Sequence, residues 1–231
     1  MSAHYAPAHG SRDNLLLLKF RKGEIIYLQG DPATDWFEVV SGTVRTCFLY
    51  TDGHRQLTGF HYDGDAFGID EAFYHSSAEA VTTVTLRRHR NVTKPPVDVD
   101  TAPEHGALQR ALNSARACIF LLGRRTAAER LAAFLIATSR RTGSDKPLPL
   151  PMSRTDIADH LGLTIHTVSR TLSEFVRQNL ITFDGPHWIV INDHGALERL
   201  ASGDGDAAVM SLRRGGASIA PKLELAPQYR S

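Results

Sequence analysis

The stretch Ser153 to Arg177, SRTDIADHLGLTIHTVSRTLSEFVR, constrains this chain more than any other. Ser153 and Asp156 stand three apart ahead of an apolar run, the spacing of a capping box, so a helix is expected to start there. Ile157, Ala158 and Leu161 form its apolar face. Gly162 then ends it, as a residue tolerant of positive φ would. Thr164 is the expected N-cap of a second helix, in which Ile165, Val168, Leu172 and Val176 recur at helical spacing and are expected to face inward. His166, Ser169, Arg170, Ser173 and Arg177 fall on the opposite face. A donor-bearing helix braced at an angle by a first helix is what reading a DNA major groove requires.

Bulk charge adds no support for nucleic acid. The formal net charge is +1, and between Thr142 and Ser202 five Lys and Arg face seven Asp and Glu, so the case rests on where the positives sit. The 231 residues leave room for one large or two modest domains, and an apolar fraction of 42% is enough to build cores. The two cysteines, Cys47 and Cys118, are far apart, which suits a reducing cytoplasm and gives no disulfide framework. No apolar run is long enough to span a bilayer, and the polar N-terminus is not a signal peptide.

From Phe20 to about Arg90, regularly placed glycines punctuate short β-rich runs: Glu24–Leu28, Trp36–Val40, Thr43–Tyr50, Arg55–Tyr62 and Ala80–Leu86. Asp52-Gly53 is a hairpin signal of the type I′ kind, and Ser41-Gly42 a second turn. Many short strands predict an antiparallel roll or barrel. Arg87 to Gly106, basic and then proline-rich, is expected to be an irregular connection.

Ala107–Arg141 has no proline and a single glycine, Gly123. Leu108, Leu112, Ala115, Ile119, Leu122 and Thr126 form a heptad-like seam that calls for a partner, and a parallel homodimer fits. Gly123 marks a bend or a close approach, and AERLAAFLIATSRR beyond it is expected to pack into the C-terminal domain. Cys118, flanking the seam, could approach its twin as a redox element or simply be a small buried residue. PLPLP, Pro147 to Pro151, is expected to be an extended linker. Two apolar runs around Asp184-Gly185 predict a β-hairpin, the wing of a winged helix-turn-helix, which would touch phosphates. The Gly-, Ala- and Ser-rich stretch 203–231 is expected to be mostly disordered.

IADHLGLTIHTVSRTL resembles the helix-turn-helix of the Crp/Fnr transcription regulators, especially their FixK-like branch, and KGEIIYLQGDPATDWFEVVSGTVR resembles the opening of their sensory domain. The similarity runs from about Phe20 to Leu200. It implies an α+β fold with an N-terminal cyclic-nucleotide-binding-type β-roll, a long dimerisation helix and a C-terminal winged helix-turn-helix. The expected division is a flexible N-terminus (1–19), the roll and its connecting loop (20–106), the dimerisation helix and the helix after it (107–141), the DNA-binding domain (142–202) and the tail (203–231).

By the same resemblance the residues matching base readers are Ile165, His166, Ser169 and Arg170. An arginine can bond guanine O6 and N7 together. His166 stands where most relatives carry a glutamate, which puts the half-site sequence in doubt. Ser153, Arg154, Thr164, Thr167 and Arg177 are candidate phosphate contacts. The resemblance further implies a homodimer on a palindromic TTGA-like site in double-stranded DNA. It also implies contact with RNA polymerase as an activator, and a low-oxygen, nitrogen-fixation or respiratory circuit.

The family's nucleotide site is not expected to carry over. In the matching stretch GDAFGIDEAFYHSSAEAV, Gly68 is kept, but Ile69, Glu79 and Ala80 stand where Glu, Arg and Ser would cradle a phosphate, and a carboxylate repels one. Two cysteines cannot ligate a cubane cluster. No cofactor and no metal are therefore expected. The alternatives are haem or another small ligand held in the roll, where His54, His61, His75 and His89 lie, or redox control through Cys118. With no nucleophile–base pairing, phosphate loop or metal-ligand spacing, the chain does not read as an enzyme.

Overall fold

The computed structural model describes residues 16–90, 102–124, 126–142 and 147–203. Eight strands build the N-terminal half: β1 (Leu16–Phe20), β2 (Ile25–Tyr27), β3 (Asp35–Ser41), β4 (Val44–Leu49), β5 (Arg55–His61), β6 (Ala66–Phe67), β7 (Ser77–Ala80) and β8 (Val84–Arg90). They pair antiparallel into two four-stranded sheets, in the orders β1-β8-β3-β6 and β2-β7-β4-β5. The alternation of inward and outward residues sends Val39, Val44, Val84, Leu86, Ala78 and Ala80 into the space between the sheets. Four aromatic rings fill what remains: Tyr27 stacks on Tyr74 with centroids 3.7 Å apart, and Phe37 and Phe67 close around Tyr27 at 5.9 and 6.1 Å.

Several boundaries differ from expectation. Strand β1 lies in the N-terminal segment expected to be flexible; it is held because Leu18 and Phe20 pair with Leu86 and Val84 and pack on the roll core. The single run Ala80–Leu86 is two strands in different sheets, divided where Val81 and Thr82 bond back to Thr43. Arg87 to Arg90 belong to β8 rather than to a linker: Arg87 donates to Glu38 on β3 at 2.7 Å, so the basic run serves the sheet. At the β4–β5 turn only Gly53 has positive φ, +84°, and its N–H donates to Tyr50. The turn is therefore not type I′, which needs two such residues; it has the form of a type I turn followed by a left-handed glycine.

Helix α1 (Ala102–Leu122) runs alongside the roll, with Ala107 packed near Trp36 and Ala66, and Leu121 in a larger core. Leu108, Leu112, Ala115, Ile119 and Leu122 are all exposed. Thr126 is not on that helix. It stands after the bend and accepts from the Glu129 N–H, capping helix α2 (Ala127–Thr142), which removes it from the seam.

The C-terminal half holds β9 (Leu148–Pro149), α3 (Arg154–Leu161), α4 (Ile165–Arg177), β10 (Ile181–Phe183), β11 (Trp188–Ile191) and α5 (His194–Ser202). PLPLP is not a free linker. Leu148 and Pro149 pair with β11 as the third strand of the wing sheet, and Leu148, Leu150 and Met152 are buried. One continuous core joins the halves, running from Leu57, Phe60 and Val81 of the roll through Leu131, Phe134 and Leu135 of α2 to Ile157, Leu161 and Phe175. The segment 203–231 lies outside the described residues except for Gly203, the left-handed cap of α5.

Candidate nucleic-acid interface

Helix α3 starts where the capping box predicts. The Ser153 hydroxyl accepts from the Asp156 N–H at 3.0 Å, and the Asp156 carboxylate accepts from the Ser153 N–H at 3.1 Å. Gly162 ends the helix at φ +62°, a conformation that strains any residue with a Cβ. Thr164 then caps α4 by accepting from the Thr167 N–H at 3.1 Å. This chemistry fixes the angle between the two helices locally.

Val168, Leu172 and Phe175 anchor α4 in the core. Burying each contributes about 1.5–3 kcal/mol. Phe175, not Val176, is the third anchor, and Ile165 and Val176 are each 41% exposed. The inward face is thus rotated by about one residue from the expected one, toward the larger apolar group. The rotation leaves Ile165, His166 and Arg170 exposed and Ser169 half-buried on the outer surface. Arg170 has no ion pair among the described residues.

The expected phosphate contacts divide. The Arg154 guanidinium lies 5.5 Å from the Phe183 ring of the wing, which holds a cation at the outer edge of the pair. Arg177 is ion-paired with Glu174 on its own helix and is less available than expected. The Ser153 hydroxyl proton goes to Asp156 at 2.8 Å, so that hydroxyl has no proton left to donate to a phosphate. Thr164 and Thr167 share a bond at 2.9 Å, leaving one hydroxyl proton of the two for another acceptor. Phe183 as a platform for Arg154 was not identified in the sequence; the two are far apart in the chain and only the fold joins them.

In the roll, Gly68 has φ +72°, and a Cβ there would come within 3.2–3.3 Å of the Tyr27 and Tyr74 rings. The two tyrosine rings of the roll core thus lie directly against this glycine. Glu79 points out of the roll and pairs with Arg45 at 2.7 Å. Burial pushes Tyr74 up to about 12 and Tyr27 higher, so both stay neutral.

The roll histidines do not converge. His54 lies beside Tyr50, His61 bonds Thr46 at 3.0 Å, His75 meets Asp70 at 2.8 Å and His89 stacks on Trp36 at 3.8 Å. Among the described residues, no group of three or more His, Cys, Asp or Glu is placed to hold a metal ion. Cys118 is half-buried on α1, and burial raises its thiol pKa, which disfavours the reactive thiolate. Among the described residues no helix is long and apolar enough to cross a membrane.

A β-roll joined through a helix to a winged helix-turn-helix with an unobstructed second helix defines a DNA-binding transcription regulator. Comparison with known proteins agrees: residues 17–90 match the cyclic nucleotide-binding domain and residues 129–200 the Crp-like helix-turn-helix domain. The nitrogen fixation regulation protein FixK of Rhizobium meliloti is 37% identical over 200 residues, covering 85% of this chain and 91% of that protein. The fumarate and nitrate reduction regulatory protein of Escherichia coli is 30% identical over 202 residues, covering 82% and 80%. The solved structure of FixK2 from Bradyrhizobium japonicum superposes with a TM-score of 0.73 at 37% identity, covering 80% of this chain and 96% of that one. The chain belongs to the Crp/Fnr family of transcription regulators.

Proposed function

We propose that two copies pair along the exposed face of α1 and present their α4 helices to an inverted repeat with TTGA-like half-sites. The observation that carries this reading is the free outer face of α4, with Arg170 unshared and His166 beside it. Support for the dimer comes from the uncovered seam: Ile119 is 69% exposed, Leu108 55%, and neighbouring Phe120 73%, a degree of apolar exposure that a lone helix in water does not favour. Arg154, Thr164 and Thr167 are the proposed phosphate contacts, with Arg177 secondary because of Glu174.

The output is transcriptional activation through contact with RNA polymerase. The names of the relatives are the support for a circuit in nitrogen-fixation or respiratory control. The protein acts without a cyclic nucleotide, a reading supported by Ile69, Glu79 and Ala80 standing where a phosphate cradle would need other residues and by the commitment of Glu79 to Arg45. Its two free cysteines fit a reducing cytoplasm.

Selection of bound sequences from a random duplex pool, combined with sedimentation of the purified protein, tests the whole reading. The expected outcome is a dimer that enriches one inverted repeat. A monomer with no preference for any repeat over scrambled duplex would overturn it.

A further inference from the structure

The helix-turn-helix is tied to the roll by a cluster of charges that the reading surface does not use. Asp156 divides its two oxygens: Oδ2 serves the α3 cap, and Oδ1 accepts from Arg45 at 2.7 Å and Arg55 at 3.0 Å. Both arginines are on the roll, 111 and 101 residues earlier in the chain. Arg55 also holds Asp159 through Nε at 3.0 Å and Nη2 at 2.7 Å, and Arg45 is held in turn by Glu79 at 2.7 Å. Two neighbours continue the row: Gln56 donates to the Asp159 carbonyl at 2.7 Å, and the His160 ring meets the Leu57 carbonyl at 3.3 Å. Consecutive residues of β5 thus bond along one side of α3.

We propose that Arg45 and Arg55 are positioning residues for DNA reading, holding α3, and α4 with it, at one orientation to the roll and thereby setting the half-site spacing that the dimer accepts. This rests on α4 being the reading helix of a dimer. The Asp156 side chain is only 3% exposed, so losing both arginines would leave a buried carboxylate with no cation. Guanidinium bonds are directional, whereas the apolar contacts of Leu57 and Phe60 beneath them tolerate sliding. Helix α4 follows α3 rigidly through the Gly162 turn, where the Leu163 N–H closes back on Ala158. In a two-fold dimer the separation of the reading helices is fixed by how each is held to its own subunit.

The test compares the wild type with Arg45→Gln/Arg55→Gln on a set of duplexes carrying the selected half-sites at native spacing and with one base pair added or removed. The variant is expected to keep the half-site sequence, bind the native spacing about tenfold more weakly, and bind the altered spacings within about twofold of it. Arg45→Lys/Arg55→Lys, which keeps the charge but loses the directional guanidinium bonds, is expected to recover part of the affinity for the native spacing and little of the spacing preference. A glutamine variant that keeps the wild-type preference for native spacing would overturn the proposal. Should the double variant fail to fold, Arg55→Gln alone carries the same measurement, since its side chain is 30% exposed and strands less charge. A wild type that selects no inverted repeat would instead defeat the reading of α4 itself, which keeps the two failures apart.

Discussion

At the scale of single residues, the proposed reading surface depends on which side chains have nothing else to hold. Arg177 and Ser153 are spent on Glu174 and Asp156, while Arg170 is not. Arg170→Ala should therefore abolish specific binding and leave the fold intact; a good bidentate pair to guanine is worth roughly 1–3 kcal/mol per half-site. A footprint that survives the change at physiological salt would remove Arg170 from this role. His166→Glu should move base preference toward cytosine at one position of each half-site, because a carboxylate accepts from cytosine N4. Sequence selection with both proteins checks this, and identical recovered sites would show that position 166 reads no base. Ser153→Ala should cost stability rather than contacts, about 1 kcal/mol by thermal unfolding, because its hydroxyl serves the α3 cap.

At the scale of elements, α1 carries two faces of different use. Ala107 and Leu121 turn toward the chain's own cores, and Leu108, Leu112 and Ile119 are exposed. Leu112→Glu should convert the proposed dimer to monomer in sedimentation while leaving the circular dichroism largely unchanged, because Leu112 is exposed and lies outside the chain's buried cores. A variant that still sediments as the wild type would place the interface elsewhere. These elements also show what the sequence discloses. Both helices of the helix-turn-helix, their caps and the wing were legible, because capping chemistry and helical spacing are local signals. Thr126 was misplaced because a residue after a bend can extend a heptad count while serving as the cap of the next helix. The anchor Phe175 was passed over for Val176 because two adjacent apolar residues compete for one inward position, and only packing decides between them. The rings that fill the roll and the roll arginines that hold α3 join residues tens to a hundred positions apart, where no local pattern reaches.

At the scale of the whole molecule, the halves share a core and a pH response. His61 lies at the end of β5, bonded to Thr46 and beside Phe67; burial first, then Arg141 and His160, hold it down to about 4 from the ordinary 6.5. His160, within the shared core beside Phe60 and Phe134, is lowered in the same direction by burial. The unfolded chain binds protons at these sites before the folded one does. Stability should therefore be level above about pH 6.5 and fall as the pH drops toward 4, by on the order of 3 kcal/mol for His61 alone. Unfolding midpoints at pH 7.5 and pH 5 check this, and His61→Gln should flatten the slope; an equal slope in both proteins would assign it to other groups.

The shared core has a further consequence for anyone who wishes to retarget this regulator. Because Leu57 and Phe60 lie under Leu161 and His160, grafting a foreign reading domain onto this roll would bring mismatched surfaces together along the graft line. New specificity is better written onto the outer face of α4, residue by residue, than imported as a block.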